Sequence, residues 1–152
     1  ITGVHGFTSL FTKAQTQVME KPVVMIEDES RYGVAETITK LSAVIVEQGW
    51  KITTTHDLQA TMKKNGKDVL PVNVIELCNP GHAFQILSVD EFRDVSAMLP
   101  CRISVYEKAD GKTYISRMNA PAFAAMIGGE AGKTMVLAFN ETEDMIREII
   151  RK

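Results

Sequence analysis

Apolar residues recur along the chain with two periods, and the points where one period gives way to the other mark the expected elements. Val23 to Glu27 (VVMIE) is a short apolar run bounded by Pro22 and an acidic cluster, which predicts a strand. Beyond it, Val34, Ile38, Leu41, Val44 and Ile45 repeat at intervals of three or four, the signature of one helical face. Ser30 is placed to cap that helix, and Gly49 to end it at the C′ position. Trp50 to Thr55 (WKITTT) joins an aromatic to β-branched residues and predicts a second strand. Asp57 then caps a short helix ending at Asn65-Gly66. Val72 to Cys78 (VNVIELC) is apolar on both faces, as an interior strand is.

The stretch ELCNPGHAFQIL, Glu76 to Leu87, passes from strand to helix. Asn79 suits the N-cap and Pro80 the first helical position, where its missing N–H costs nothing. Ala83, Phe84 and Leu87 form the expected buried stripe. Asp90 caps a further short turn that Pro100 stops. Arg102 to Glu107 (RISVYE) and Thr113 to Met118 (TYISRM) flank KADGK, where Asp110-Gly111 is the signal for a two-residue hairpin loop. Pairing Ala109 with Lys112 sets Ile103 and Val105 on the face of Tyr114 and Met118, the expected core side. Asn119 caps a short helix over Pro121 to Ile127, ended by Gly128-Gly129. Met135, Ala138, Phe139, Met145, Ile146, Ile149 and Ile150 predict one long C-terminal helix, with a strand over Thr134 to Phe139 as the alternative. The order of elements predicts an α+β domain over residues 22–152, its helices packed on one face of a mainly antiparallel sheet.

Composition narrows the function classes. A chain of 152 residues, 45% apolar and 24% charged, has the make-up of one soluble globular domain. Its net charge is −2, no run of Lys or Arg interrupts the mixed signs, and aromatics are only 7%. That combination excludes a nucleic-acid footprint, which needs a basic face and stacking platforms. Residues 1–21 carry Phe7, Leu10, Phe11, Ala14 and Val18 at helical spacing. They read either as a helix docked on the domain, or as a juxtamembrane stub of a trimmed signal peptide or membrane anchor. The second reading puts the protein in the cell envelope, anchored or exported; the first allows the cytoplasm.

GGEAGKT, Gly128 to Thr134, is not a phosphate-binding loop. The motif requires a glycine where Ile127 stands, and it must follow a strand rather than a helix. The chain contains no HExxH, CxxC or GxSxG motif and no dinucleotide fingerprint, so no cofactor is assigned. His5 and His56 read as solvated. Cys78 and Cys101 remain, ending one expected strand and opening another, with Asn79 and His82 between them. If those strands are antiparallel neighbours, the two sulfurs return to the same sheet edge. Four readings stay open: inert buried cysteines, a disulfide or redox-active thiol pair, a metal or haem site with His82, or a pocket lined by Asn79 and helix N-terminal amides. No fourth ligand for tetrahedral zinc can be named, so no metal is assigned.

These residues also resemble a known family. CNPGHAFQIL, MLPCRISVYE and DGKTYISRMN, in that order, are similar to the signature of domain-of-unknown-function family 302. The matching positions are Cys78, Asn79, Pro80 and Ala83, then Leu99, Pro100 and Cys101, then Val105, Tyr106 and Glu107. The resemblance implies a bacterial or archaeal β-α-β-β-β-β-α domain with a TATA-box-binding-protein-like arrangement, forming a homodimer. It implies no reaction, and it does not demand histidine at position 82. The leading function class is a small-ligand or partner-binding module with a thiol site at one sheet edge. Its rivals are a thiol/disulfide redox or metal-dependent enzyme, and a structural dimerisation domain of an envelope-associated protein.

Overall fold

In the computed structural model, which describes residues 23–152, the chain runs β1 (Met25–Glu29), α1 (Val34–Glu47), β2 (Lys51–Asp57), α2 (Leu58–Lys64) and β3 (Val72–Cys78). It continues through α3 (Pro80–Leu87), a 3₁₀ helix (Asp90–Met98), β4 (Cys101–Glu107), β5 (Thr113–Met118), α4 (Ala120–Ile127) and α5 (Gly129–Ile146). The expected N-terminal stub over residues 1–21 lies outside the described residues. All strand pairs are antiparallel, in the order β1-β5-β4-β3-β2, so the mainly antiparallel α+β expectation holds. β1 and β2 occupy opposite edges, and α1 carries the chain across one face between them. The last four strands then form a meander back towards β1.

Side chains alternate across the pleat, and one face carries the core. Ile75 and Leu77 of β3, Ile103 and Val105 of β4 and Ile115 of β5 are buried beneath Leu41 and Ile45 of α1 and Met145 and Ile146 of α5. Burying each such aliphatic side chain stabilises the fold by about 1.5–3 kcal/mol before ordering costs. A second cluster (Ile86, Val95, Ala124, Ala131 and Met135) ties α3, the 3₁₀ helix and α4 to α5. The opposite sheet face carries polar side chains, including Glu76, Arg102, Tyr106 and Tyr114.

Several local expectations are corrected. The N-cap position of α1 is Gly33, not Ser30. Ser30 is buried instead, sharing a 2.6 Å hydrogen bond with Thr37 and bridging to Ile150. On α3 it is Ile86 that is buried, while Phe84 is 66% exposed and Leu87 is exposed as well. A two-turn helix that is apolar on most sides has no unique stripe, and tertiary packing chooses one. The N-cap position of the 3₁₀ helix is Val89, so Asp90 does not cap. Asn119 precedes α4 as expected, but its amide donates to the Val23 carbonyl at 2.8 Å rather than capping. The C-terminal helix stops at Ile146, since the backbone of Ile149 accepts from Arg31 and Arg151 donates to Glu29. The glycine pair forms a corner between α4 and α5. A side chain at Gly132 would meet the Ala124 carbonyl oxygen at 2.6 Å, so the two helices approach to backbone contact there.

The correction with the widest effect is at the hairpin. β4 and β5 pair Tyr106 with Tyr114 and Ile103 with Arg117, one residue out of the expected register. The loop spans three residues: Lys108 donates to Lys112, Gly111 donates to Lys108, and Gly111 adopts φ +77. That is a turn closed by a left-handed glycine, the common three-residue alternative to a two-residue loop. A slip of one residue exchanges the faces of a strand. Thr113, Ile115 and Arg117 therefore point into the core, and Tyr114 and Met118 point away from it.

Arg117 is 6% exposed, and a buried guanidinium requires partners. Its Nε and Nη2 donate to the two carboxylate oxygens of Glu143 at 2.6 and 2.7 Å, and its Nη1 donates to Asp28 at 2.6 Å. Burial alone would lower its pKa, but the hydrogen bonds to Glu143 and Asp28 offset this and hold it above the ordinary value. Edge strand β1, strand β5 and helix α5 meet at this one side chain. Arg117→Ala is expected to destabilise the protein by about 3 kcal/mol, the low end for a broken buried pair because both carboxylates still touch water. Urea unfolding followed by circular dichroism measures it, and a loss under about 1 kcal/mol would refute the structural role given to the network.

Candidate functional site

The strand-to-helix junction after β3 is built as the sequence predicts. Asn79 is extended, and its Oδ1 accepts from the backbone N–H groups of Gly81 at 3.0 Å and His82 at 3.2 Å. The Asn79 carbonyl accepts from Ala83, and Pro80 has no N–H to offer. The first-turn amides of α3 are thus already engaged, so the helix N-terminus itself offers no free backbone donor there. This cap directs α3 towards α5 and the 3₁₀ helix, and a gap remains under it.

That gap is a cavity of ≈ 90 Å³, and all four residues singled out from the sequence line it: Cys78, Asn79, His82 and Cys101. Leu77 pairs with Cys101 across β3 and β4, which sets the Cys101 thiol on the core side, packed against the main cluster. Both cysteines are free thiols. Burial pushes the Cys101 thiol up to about 11 from an ordinary 9.0, with the neighbouring Cys78 adding to the shift. A thiol so held is neutral at physiological pH and behaves as a small apolar group, not a nucleophile.

His82 has a more defined setting than the sequence suggests. Its Nε2 lies 2.6 Å from Oε2 of Glu141 on α5, and its ring is 6.0 Å from that of Trp50 at an interplanar angle of 59°. Trp50, Ala138, Phe139 and Thr142 supply more of the wall. The Thr134 and Thr142 hydroxyls donate to carbonyls of their own helix, so they turn no free donor into the space. Among the described residues no buried side-chain nitrogen or oxygen lacks a hydrogen-bond partner. Nor do three His, Cys, Asp or Glu side chains among them form a group able to hold a metal ion.

Glu141, Trp50 and Arg117 are the parts of this neighbourhood that sequence reading missed. Glu141 lies 59 positions from its histidine, and no local spacing signals that pairing. For Trp50 a hint exists: a lone tryptophan opening an edge strand needs a partner for its large apolar surface. Among the described residues no helix is long and apolar enough to cross a membrane.

Comparison with known proteins agrees with this architecture. Residues 26–152 match the family model "Domain of unknown function DUF302". The crystal structure of an uncharacterised conserved DUF302 protein from Bacillus stearothermophilus superposes with a TM-score of 0.74 at 21% identity, covering 83% of this chain and 98% of that one. Similarity also extends over 101 residues, 66% of this chain, to a protein of Brucella suis named fluoride-specific ion channel FluC 1, at 32% identity. A protein of the same name from Brucella abortus is equally similar. The matched stretch spans 39% and 36% of those two relatives, well under half of each.

The state of Cys101 is open to direct measurement. In a Cys78→Ser variant, alkylation of Cys101 by iodoacetamide is expected to be slow at about pH 8 and to accelerate as pH climbs towards 11. The linkage sign follows: between 9.0 and about 11 the unfolded chain loses this proton while the fold keeps it, so stability falls as pH rises through that window. A labelling rate already at its plateau near pH 8 would show that the thiol is not held neutral.

Proposed function

The chain belongs to the DUF302 family, a name that assigns no reaction, and from its site we propose that the domain binds a small, largely apolar molecule. The observation that carries this reading is convergence. Cys78, Asn79 and His82 come from one segment and Cys101 from another, and all of them line one cavity closed by α5. At ≈ 90 Å³ the space is of the same order as the roughly 150 Å³ apolar cavity that takes benzene. It also comes near the surface, since the half-buried His82 and Ala83 form part of its lining. Enclosed apolar walls with a few fixed polar groups are the usual form of a small-molecule site.

Thiol chemistry draws less support. A redox or nucleophilic role needs a thiolate, and Cys101 is held neutral up to about 11. A second reading has one specific observation behind it: the curated relatives are named fluoride-specific ion channels. On that reading the domain is a dimerising accessory unit of envelope proteins, and ligand binding at the cavity is how it is controlled.

Phenol and indole serve as probes of the cavity. Saturation-transfer NMR is expected to detect both on the native chain, and the signal should vanish in Ala138→Phe, which fills the space. Overpacking can unfold a protein, so Ala83→Phe at a partly exposed wall position provides the second variant. Equal probe binding by a folded variant, or no binding to the native chain at millimolar concentration, would overturn the proposal.

A further inference from the structure

The cavity's charge setting narrows what it accepts, an inference that rests on the ligand-binding reading above. The backbone amides and the guanidinium beside the cavity are already engaged. The Gly81 and His82 amides are held by Asn79, and Arg117 is spent on Glu143 and Asp28. The Arg102 side chain is on the opposite face of the sheet, paired there with Glu76 at 3.0 Å, and turns no charge into the space. His82 is engaged by Glu141. On the cavity's side of the sheet one guanidinium, that of Arg117, is therefore met by the two carboxylates of Glu143 and Asp28, and Glu141 adds a third. The neighbourhood carries an excess of negative charge around an apolar space, which penalises any anion brought into it.

The walls speak to shape. The rings of Trp50, His82 and Phe139 and the sulfurs of Cys101 and Met135 are polarisable surfaces suited to the edge of a planar ring. We infer that the cavity is selective for compact aromatic molecules that are neutral or carry an amine, and that it rejects carboxylates and inorganic anions, with Glu141 as a specificity-determining residue. Glu141 is not itself in the lining; it acts from beside His82, through its own charge and through the imidazole it orients.

Three probes of matched size test this: benzyl alcohol, benzylamine and benzoate, titrated by NMR against the native chain at constant ionic strength. Benzyl alcohol and benzylamine are expected to bind at least about tenfold more tightly than benzoate. Glu141→Gln, which keeps a hydrogen-bonding group for His82 and removes the charge, should narrow that gap. Benzoate binding as tight as benzyl alcohol, or displacement of benzyl alcohol by millimolar fluoride, overturns the charge selection while leaving the ligand-binding reading intact. An unchanged ratio in Glu141→Gln overturns the role given to that residue. If none of the three probes binds, the ligand-binding reading fails and this inference fails with it.

Discussion

A guanidinium buried inside a small domain sets terms that everything near it must meet. Arg117 is on the core face of β5, and its planar donors are satisfied only if Glu143 of α5 and Asp28 of β1 arrive together. Hydrophobic contact with the sheet tolerates sliding, whereas a two-pronged carboxylate contact tolerates very little. The axial position of α5 is therefore fixed by this residue more than by its apolar stripe. Since α5 forms one wall of the cavity and carries Glu141, the geometry of the candidate site is inherited from the ion network.

Much of the fold was legible because most of its elements announce themselves locally. The five strands, the helix after β1 and the Asn79-Pro80 start of α3 come from period, cap and breaker chemistry within a few residues. What escaped was decided elsewhere in the chain. TYISRM alternates in a way that allows either face to be the inner one, and the choice is made by a loop of three residues instead of two. The end of α5 depends on backbone bonds to Arg31 and Glu29, more than a hundred positions upstream. In the same way Cys78, Asn79, His82 and Cys101 could be picked out as a group, but the residue that orients the histidine could not.

The two hydrophobic clusters divide the labour. The main cluster under α1 and α5 supplies the fold with its buried area. The second, joining α3, the 3₁₀ helix, α4 and α5, packs smaller and more irregular pieces, and the cavity lies between the two. Incomplete packing is natural at such a seam, because a capped two-turn helix cannot follow the sheet closely. The polar outer face of the sheet, with its Glu76–Arg102 pair and stacked Tyr106 and Tyr114, adds charge and order without contributing to the core.

The placement of β1 has a consequence for how the chain is made. Its sole strand partner among the described residues is β5, whose paired residues lie about ninety positions later, and α1 carries the chain away from that edge at once. While the polypeptide is still emerging, the meander β2-β3-β4-β5 can close on its own, but β1 has nothing to pair with until β5 is complete. Asp28 waits even longer, since the carboxylate that shares its guanidinium is at Glu143, on the last helix of the domain. Within this domain β1 is thus made before its partners and locked after them, and until then it presents an unpaired edge to any neighbouring chain.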